Sequence, residues 1–497
     1  MKRFIEGEDR SQATLFPEHL EDYIAEDNAV RVIDAFVERL DLEGLGFRTV
    51  AADTGRPGYR PSVLLSIYIY GYMNRIQSSR RLERESQRNV ELIWLTRRLL
   101  PSFKTIADFR KDNRKAIRRV CREFVEVCRE LDLFSQRLVA IDGSKFKAVN
   151  SRDKNFTRKS VKQRIKKTEA NIERYLAKLD AADREEPEIR EVTAEELKAK
   201  IASMAAKLDE LNARAIEVEA HPDKQVSLTD PDARSMMKPG GGSVVGYNVQ
   251  TAVDSKHHLI VHHEVVNAAM DRHQLSSVAK GAKAALGLEQ GTSDDAGLPL
   301  KDRVGQDRTA LTVLADEGYY TSSEVVECVR AGIRPLVRRT DTSGRSKTGL
   351  FTKADFIYDE DEDVYHCPAG EVLPYKGLWK DGNRELRAYR TFKCPRCALK
   401  AKCTRSNNRR IDRYPDQDVL DAVQADLAKS PDAMRERKKL VEHPYGTIKH
   451  WMGSTHFLMK RLPNVKAEMS LHVLAYNLKR AISVLGVPAI LEHLQAA

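Results

Sequence analysis

The sequence predicts an α/β protein built on a sheet of mixed direction. Three observations carry that expectation. An apolar run, Leu138 to Ile141, reads as a buried strand and is broken at Gly143. Two further runs, Tyr247 to Val253 and Leu259 to Val266, flank the turn Asp254-Ser255-Lys256 and suit an antiparallel hairpin beside it. Later, the strand Leu311 to Ala315, a helix over Ser322 to Ala331 and the strand Ile333 to Arg338 alternate as in a parallel unit.

Taken in order, residues 1 to 60 hold short helical patterns, notably Ala29 to Leu40, and a loop at Asp53 to Gly58. From Pro61 to about Leu133 the pattern is helical almost throughout, with a cap and turn after Pro101. After the first strand, Leu197, Ile201, Met204, Leu208, Leu211, Ala215 and Val218 alternate spacings of four and three. Ile165, Ile172, Tyr175 and Leu179 supply a partner stripe, so 159–220 is expected to be an antiparallel helical hairpin turning near Pro187. It would serve dimerisation or DNA support. A helix over Arg272 to Leu286 and a polar loop to Asp307 complete the approach to Leu311. The expected divisions are a helical domain at 1–134, an α/β part at 135–350, a Cys-rich insertion at 351–413 and a helical part at 414–497.

The chain has 497 residues, enough for two to four domains, and a formal net charge of +11. Between Arg75 and Arg122, fifteen Lys or Arg stand against five Asp or Glu, which points to a phosphate-binding module. Arg110, Arg114, Arg118 and Arg122 recur every four residues beside an apolar stripe of Ile117, Val120 and Phe124. A solvated helix face is the ordinary alternative, but so few acids are present that the face would repel itself without an anionic partner. Val63 to Met73, the longest apolar run, is too short to span a bilayer, and Met1 to Arg10 is charged with no apolar segment. Neither a membrane span nor a signal peptide is expected, which fits a cytoplasmic chain.

Three carboxylates sit beside strand ends or turns: Asp142, Asp316 and Glu442. If they meet, two unit charges ~4 Å apart repel by about 4 kcal/mol at an effective dielectric of ~20. Cations relieve that cost, and a pair of Mg²⁺ ions, with Mn²⁺ as a substitute, suits phosphodiester cleavage and transfer of a 3′-hydroxyl. For each acid taken singly, a turn or cap role is the alternative.

The residues around the three acids resemble a known family. Ile141-Asp142-Gly143-Ser144, Ala315-Asp316-Glu317-Gly318-Tyr319, and Val441-Glu442 followed by Tyr445-Gly446-Thr447-Ile448-Lys449 look like the three signatures of bacterial insertion-sequence transposases of the DDE type. Pro101-Ser102-Phe103-Lys104-Thr105-Ile106 with Phe109-Arg110, and the stretch Gly246 to Asp254, are similar to further parts of that family. The resemblance implies a ribonuclease H-like catalytic part, with Asp142 on the first strand, Asp316 after the fourth and Glu442 on a later helix. It implies two divalent ions held by these acids, double-stranded DNA ends and target as partners, a dimer or higher assembly on DNA, and a place at the nucleoid. It also implies that Lys449 meets DNA. In related transposases Tyr and Arg often precede the glutamate by seven and four residues; here Arg435 and Lys438 stand there. Pro444 is expected to kink or end the helix after Glu442.

Of seven cysteines, Cys121, Cys128 and Cys328 fall in helical patterns as buried thiols. Cys367, Cys394, Cys397 and Cys403 suit a tetrahedral structural Zn²⁺ that would pin a thin β-rich segment; reduced cysteines in a loop and a redox dithiol are the alternatives. His257, His258, His262 and His263 read as ordinary histidines rather than a metal site, and Asp230 and Asp232 around Pro231 as a turn. Gly240 to Gly242 lacks the Lys-Ser/Thr of a phosphate loop, so ATP use is not indicated.

Overall fold

The computed structural model describes residues 19–49, 58–182, 187–237, 241–288, 298–305, 311–339, 348–381 and 384–496. The expected loop at Asp53 to Pro57, the hairpin tip at 183–186, Gly240, and the polar segments 289–297 and 306–310 lie outside them.

Helices α1 (Ala29–Arg39), α2 (Pro61–Met73), α3 (Ser79–Ser86), α4 (Val90–Leu95), α5 (Phe103–Asp112) and α6 (Arg114–Glu130) come first. Side-chain caps start three of them, Asn28 on α1, Asn89 on α4 and Ser102 on α5, each accepting a backbone N–H that the first turn leaves unpaired. Helix α2 is buried from Leu64 to Met73 and forms the centre of this bundle.

The row of four arginines is divided between two helices. The chain bends at Asn113 (φ −103°, ψ 30°), so Arg110 lies in the last turn of α5 while Arg114, Arg118 and Arg122 lie on α6. Arg110 turns inward: it is 7 % exposed, donates to the Tyr72 hydroxyl at 2.6 Å and lies 5.2 Å from the Tyr68 ring centroid. Its charge is balanced by the buried Glu468, which accepts from the N–H groups of Leu458 and Met459. Arg110 is thus a core residue, and removing it strands a buried carboxylate. We expect Arg110→Met to cost about 3 kcal/mol in denaturant unfolding. The salt dependence of the DNA binding expected of the basic helices should be unchanged in this variant. Arg114→Gln with Arg118→Gln should instead flatten that dependence by about one log-log unit per lost phosphate contact, at little cost in stability.

Strand β1 (Leu138–Lys147) leads to a small ladder of β2 (Asn155–Thr157) with β3 (Gln225–Ser227), from which α7 (Arg158–Ala182) and α8 (Pro187–Ala220) extend. Arg158 at the start of α7 pairs with Glu219 at the end of α8, so the helices run antiparallel. Leu197, Leu211 and Val218 are buried and Ile201, Met204, Leu208 and Ala215 half-buried, the stripe expected from their spacing. Pro187 is the first helical residue of α8, a position that needs no N–H donor.

The main sheet adds β4 (Arg234–Met237), β5 (Ser243–Asp254), β6 (Ile260–Val266), β7 (Leu311–Ala315) and β8 (Ile333–Val337), with α9 (Leu275–Ala285) before β7 and α10 (Ser322–Arg330) before β8. β5 pairs antiparallel with β1, β4 and β6, whereas β1, β7 and β8 are mutually parallel in that order. The fold is therefore α/β with a mixed sheet, as the apolar runs indicated. A second sheet, β9 (Ile357–Asp359), β10 (Val364–His366), β11 (Val372–Asp381), β12 (Arg384–Arg390) and β13 (Arg410–Arg413), is an antiparallel meander. The turn Cys394–Arg396 and α11 (Lys400–Cys403) connect its last two strands. The meander has its own core of Phe356, Tyr365, Leu373, Tyr389 and Ile411.

Helices α12 (Gln417–Ala428), α13 (Ala433–Gly446), α14 (Leu462–Leu485) and α15 (Val487–Ala496) close the chain. α14 packs on α2 and α6, and α15 on α1, so one hydrophobic core runs from Ile24 to Leu494 across the boundary expected at residue 134. Asp230 and Asp232 do more than form a turn. They accept from the N–H groups of Arg461 and Leu462 at 3.0 and 2.8 Å, at the positive end of α14. Among the described residues no single helix is long and apolar enough to cross a membrane; α14 and α15 together are, but a bend of 108° separates them.

Candidate active site

The parallel register of β1 and β7 determines where two of the acids fall. Ala140 is opposite Leu314, so Asp142 and Asp316, each two residues further on, reach the same level on neighbouring strands. Alternation puts Ala140 and Asp142, with Leu314 and Asp316, on one face. That face is covered by α13, whose Leu440 and Val441 pack on Ala140 and Leu314.

Asp142 is half-buried, and burial raises its carboxyl above the usual range. The Arg437 guanidinium, 3.5 Å away, and the Gly143 N–H oppose the shift, while Asp271 and Asp316 add to it. Asp316 is exposed and accepts from the Glu317 N–H at 2.9 Å as the cap of a short 3₁₀ turn. Glu442 is exposed on α13, one residue beyond the buried Val441, and pairs with Lys438 at 3.9 Å. Two of the three acids thus meet, and the third lies on the helix above them, turned to solvent.

Among the described residues no group of three or more His, Cys, Asp or Glu side chains is placed to hold a metal ion. The donors fit a hard divalent cation in kind, since all are carboxylate oxygens beside one another's charge. Their placement does not, because Glu442 stands apart and Arg437 takes up part of Asp142's charge.

Several residues position this site. The Tyr445 hydroxyl donates toward the carbonyls of Asp142 (3.0 Å) and Val249 (2.7 Å), tying α13 to β1 and β5 beside the acid. Lys449 packs inward: its ammonium bonds Ser144 Oγ and the Lys145 carbonyl and lies 4.5 Å from the Phe146 ring centroid. Pro444 does not end α13 just after Glu442: the helix runs through it to Gly446 and continues as a π-helical turn, Thr447–Trp451. The proline removes an N–H that Leu440 would have accepted, and the Leu440 carbonyl instead meets the His258 ring. Of the two residues at the family's upstream positions, Arg435 pairs with Asp432 at 2.8 Å and Lys438 with Glu442.

Asp271 and Arg437 are the site residues that sequence reasoning missed. Asp271 accepts from Asn248 (2.7 Å), Gln250 (2.8 Å) and Lys145 (3.2 Å), against the other side of β1. A Cβ at Gly143 would lie 2.4 Å from Asp271 Oδ1 and 2.6 Å from Gln250 Nε2, so only glycine admits this approach next to Asp142. Tyr319, which follows Asp316 by three, hydrogen-bonds Gln250 Oε1 and joins the same network. The available signal was the pair Asn248 and Gln250, two amides on one face of an otherwise apolar strand, which need a buried partner.

The four clustered cysteines line one cavity, and burial together with the neighbouring thiols raises Cys403. The Arg409 N–H donates to Cys394 Sγ at 3.4 Å. Four soft donors around one space suit Zn²⁺ in kind, although the thiols do not stand as close as bound ligands would. Cys121, Cys128 and Cys328 are buried as expected. His262 and His263 are half-buried, and loss of hydration pushes them down to about 4 and about 3.

Two segments match known protein families. Residues 18–112 match Transposase domain (DUF772), and residues 366–482 match Transposase DDE domain. The second match contains Glu442 and the clustered cysteines; Asp142 and Asp316 fall between the two. Comparison with the curated proteins and with solved structures returns no match.

Proposed function

From the premise that this chain, with a transposase domain at each end, belongs with the insertion-sequence transposases of the DDE type, we propose that it binds the terminal inverted repeats of its element and catalyses strand cleavage and strand transfer. The observation that carries the reading is the equal level of Asp142 and Asp316 on adjacent parallel strands beneath the helix bearing Glu442. The strand order β6-β5-β1-β7-β8, with its first two neighbours antiparallel and the rest parallel, supports a ribonuclease H-like catalytic part.

Asp142, Asp316 and Glu442 match Mg²⁺ or Mn²⁺ in donor type but would hold the ion only once Glu442 turns in from Lys438 and Arg437 leaves Asp142; the ion would then supply activation of the attacking oxygen and charge relief for the leaving one. The chain's own residues set the frame for that chemistry. Arg437 balances Asp142, Tyr445 and Lys449 fasten β1 under α13, and Asp271 with its amides stiffens the opposite side. Arg114, Arg118 and Arg122 on α6 would meet phosphates, and Lys449 serves β1 before it serves DNA. The decisive assay supplies pre-cut 3′-hydroxyl ends, target DNA and Mg²⁺. Joined product is expected; cleavage without joining would leave a nuclease, and binding alone a non-enzymatic descendant.

We also propose that the thiols of Cys367, Cys394, Cys397 and Cys403 hold structural Zn²⁺. Purified protein should then contain one zinc per chain, and Cys397→Ser should lose it and open the small sheet to proteolysis. A zinc-free protein with an intact meander would refute the assignment.

A further inference from the structure

We propose that the outer face of the meander β9–β13 binds single-stranded DNA, as a second nucleic-acid surface apart from the arginines of α6. The inference rests on the transposase reading, since strand cleavage at an element end is what frees unpaired bases. Between residues 372 and 413 thirteen Lys or Arg stand against three Asp or Glu, an excess close to the +11 of the whole chain.

Strand alternation sorts that charge onto a face. Tyr389 and Ile411 point into the meander's own core. On the opposite face Trp379 is opposite Leu386, and Arg390 opposite Arg410. Trp379 is 46 % exposed, and Phe392, two residues past Arg390, is 61 % exposed. The Arg410 guanidinium lies 4.3 Å from the Trp379 ring centroid and that of Arg390 5.1 Å from Phe392. Arg410 also pairs with Asp412 at 2.8 Å, whereas Arg390 makes no ion pair with an acid among the described residues.

Charge alone would serve duplex phosphates. Open aromatic rings flanked by guanidinium planes gain nothing from bases already stacked in a duplex. Unpaired bases offer their faces to Trp379 and Phe392 while their phosphates meet Arg390 and Arg410. A second copy of this chain is the weaker occupant, because it would bring the same positive surface and be repelled.

The test uses the full chain, with anisotropy titrations of a labelled unpaired oligonucleotide and a duplex of equal length. Trp379→Ala with Phe392→Ala should weaken binding to the unpaired oligonucleotide about tenfold per ring and leave duplex affinity unchanged. Trp379→Phe should retain most of the affinity, which separates lost stacking from a damaged fold. Arg390→Gln should lower the salt slope on the single strand by about 0.7. Unchanged single-strand binding in the double variant overturns the proposal, as does an equal loss on both DNA forms. So does loss of self-association in sedimentation with DNA binding intact, which would make the face an interface between copies. If the unaltered protein binds neither DNA form, the transposase reading itself fails; if it binds duplex and the ring variants change nothing, only this surface does.

Discussion

Asp142→Asn is expected to lower end cleavage by roughly three orders of magnitude, the effect of losing several kcal/mol of charge stabilisation, while DNA binding persists. The substitution preserves shape and removes a charge that burial, Asp271 and Asp316 all disfavour, so the fold should not weaken. Binding should hold or improve, because one negative charge at the proposed DNA-facing site is gone. The raised carboxyl also sets a direction for pH: protons would compete with the proposed cations for Asp142 up to a higher pH than at an ordinary carboxylate, so cleavage should rise with pH through that raised range. Glu442→Gln sharpens the test. If the exposed glutamate completes the site, its loss should match that of Asp142; if cleavage survives, the third acid is another residue, with Asp271 the first to replace by Asn. Near-normal cleavage by Asp142→Asn, measured on a labelled end substrate, would remove the site altogether.

The second large effect expected is acid lability. His262, His263 and His472 are neutral in the fold, pushed down by burial to about 4, about 3 and about 3. Their folded values lie below the unfolded value, so the stabilisation they give is complete above roughly pH 6.5 and is lost as the pH falls toward the folded values. Each histidine contributes a slope of up to about 1.4 kcal/mol per pH unit. Against a total stability of roughly 5–15 kcal/mol, the three together should unfold the protein before pH 4. The carboxyls of half-buried Asp142 and buried Glu468, both raised, work the other way and soften the fall only at its acid end. Urea unfolding from pH 7.5 to 4.5 should show the decline, and His472→Gln, which can still bond Ser454, should flatten it by about a third. A midpoint independent of pH would contradict the burial of these rings.

Much of the sheet was readable from apolar runs because a strand buried on both faces leaves little choice of residue. The hairpin at Asp254 and the stripe from Leu197 to Val218 followed from period alone. Side-chain direction at helix joints did not. Arg110 shares a spacing of four with Arg114, but one bend at Asn113 turns it into the core, and spacing says nothing of a bend. Lys449 and Pro444 depend on the π-helical turn, whose extra residue per turn no period announces. Asp142 and Asp316 stand out because each follows an apolar run, although β1 does not break at Gly143 and continues through Asp142 to Lys147, whereas Asp271 sits in a loop and gains its place only through contacts with β1 and β5.

The wall that α14 and α15 lend to the first helices has a consequence for synthesis. A nascent chain with its opening bundle already out of the ribosome still lacks the helices that cover Tyr72, Phe124 and Phe36, so that bundle waits through some 300 further residues for its missing side. Amino-terminal fragments made by early termination should therefore be sticky, short-lived species rather than detached, folded competitors of the whole chain.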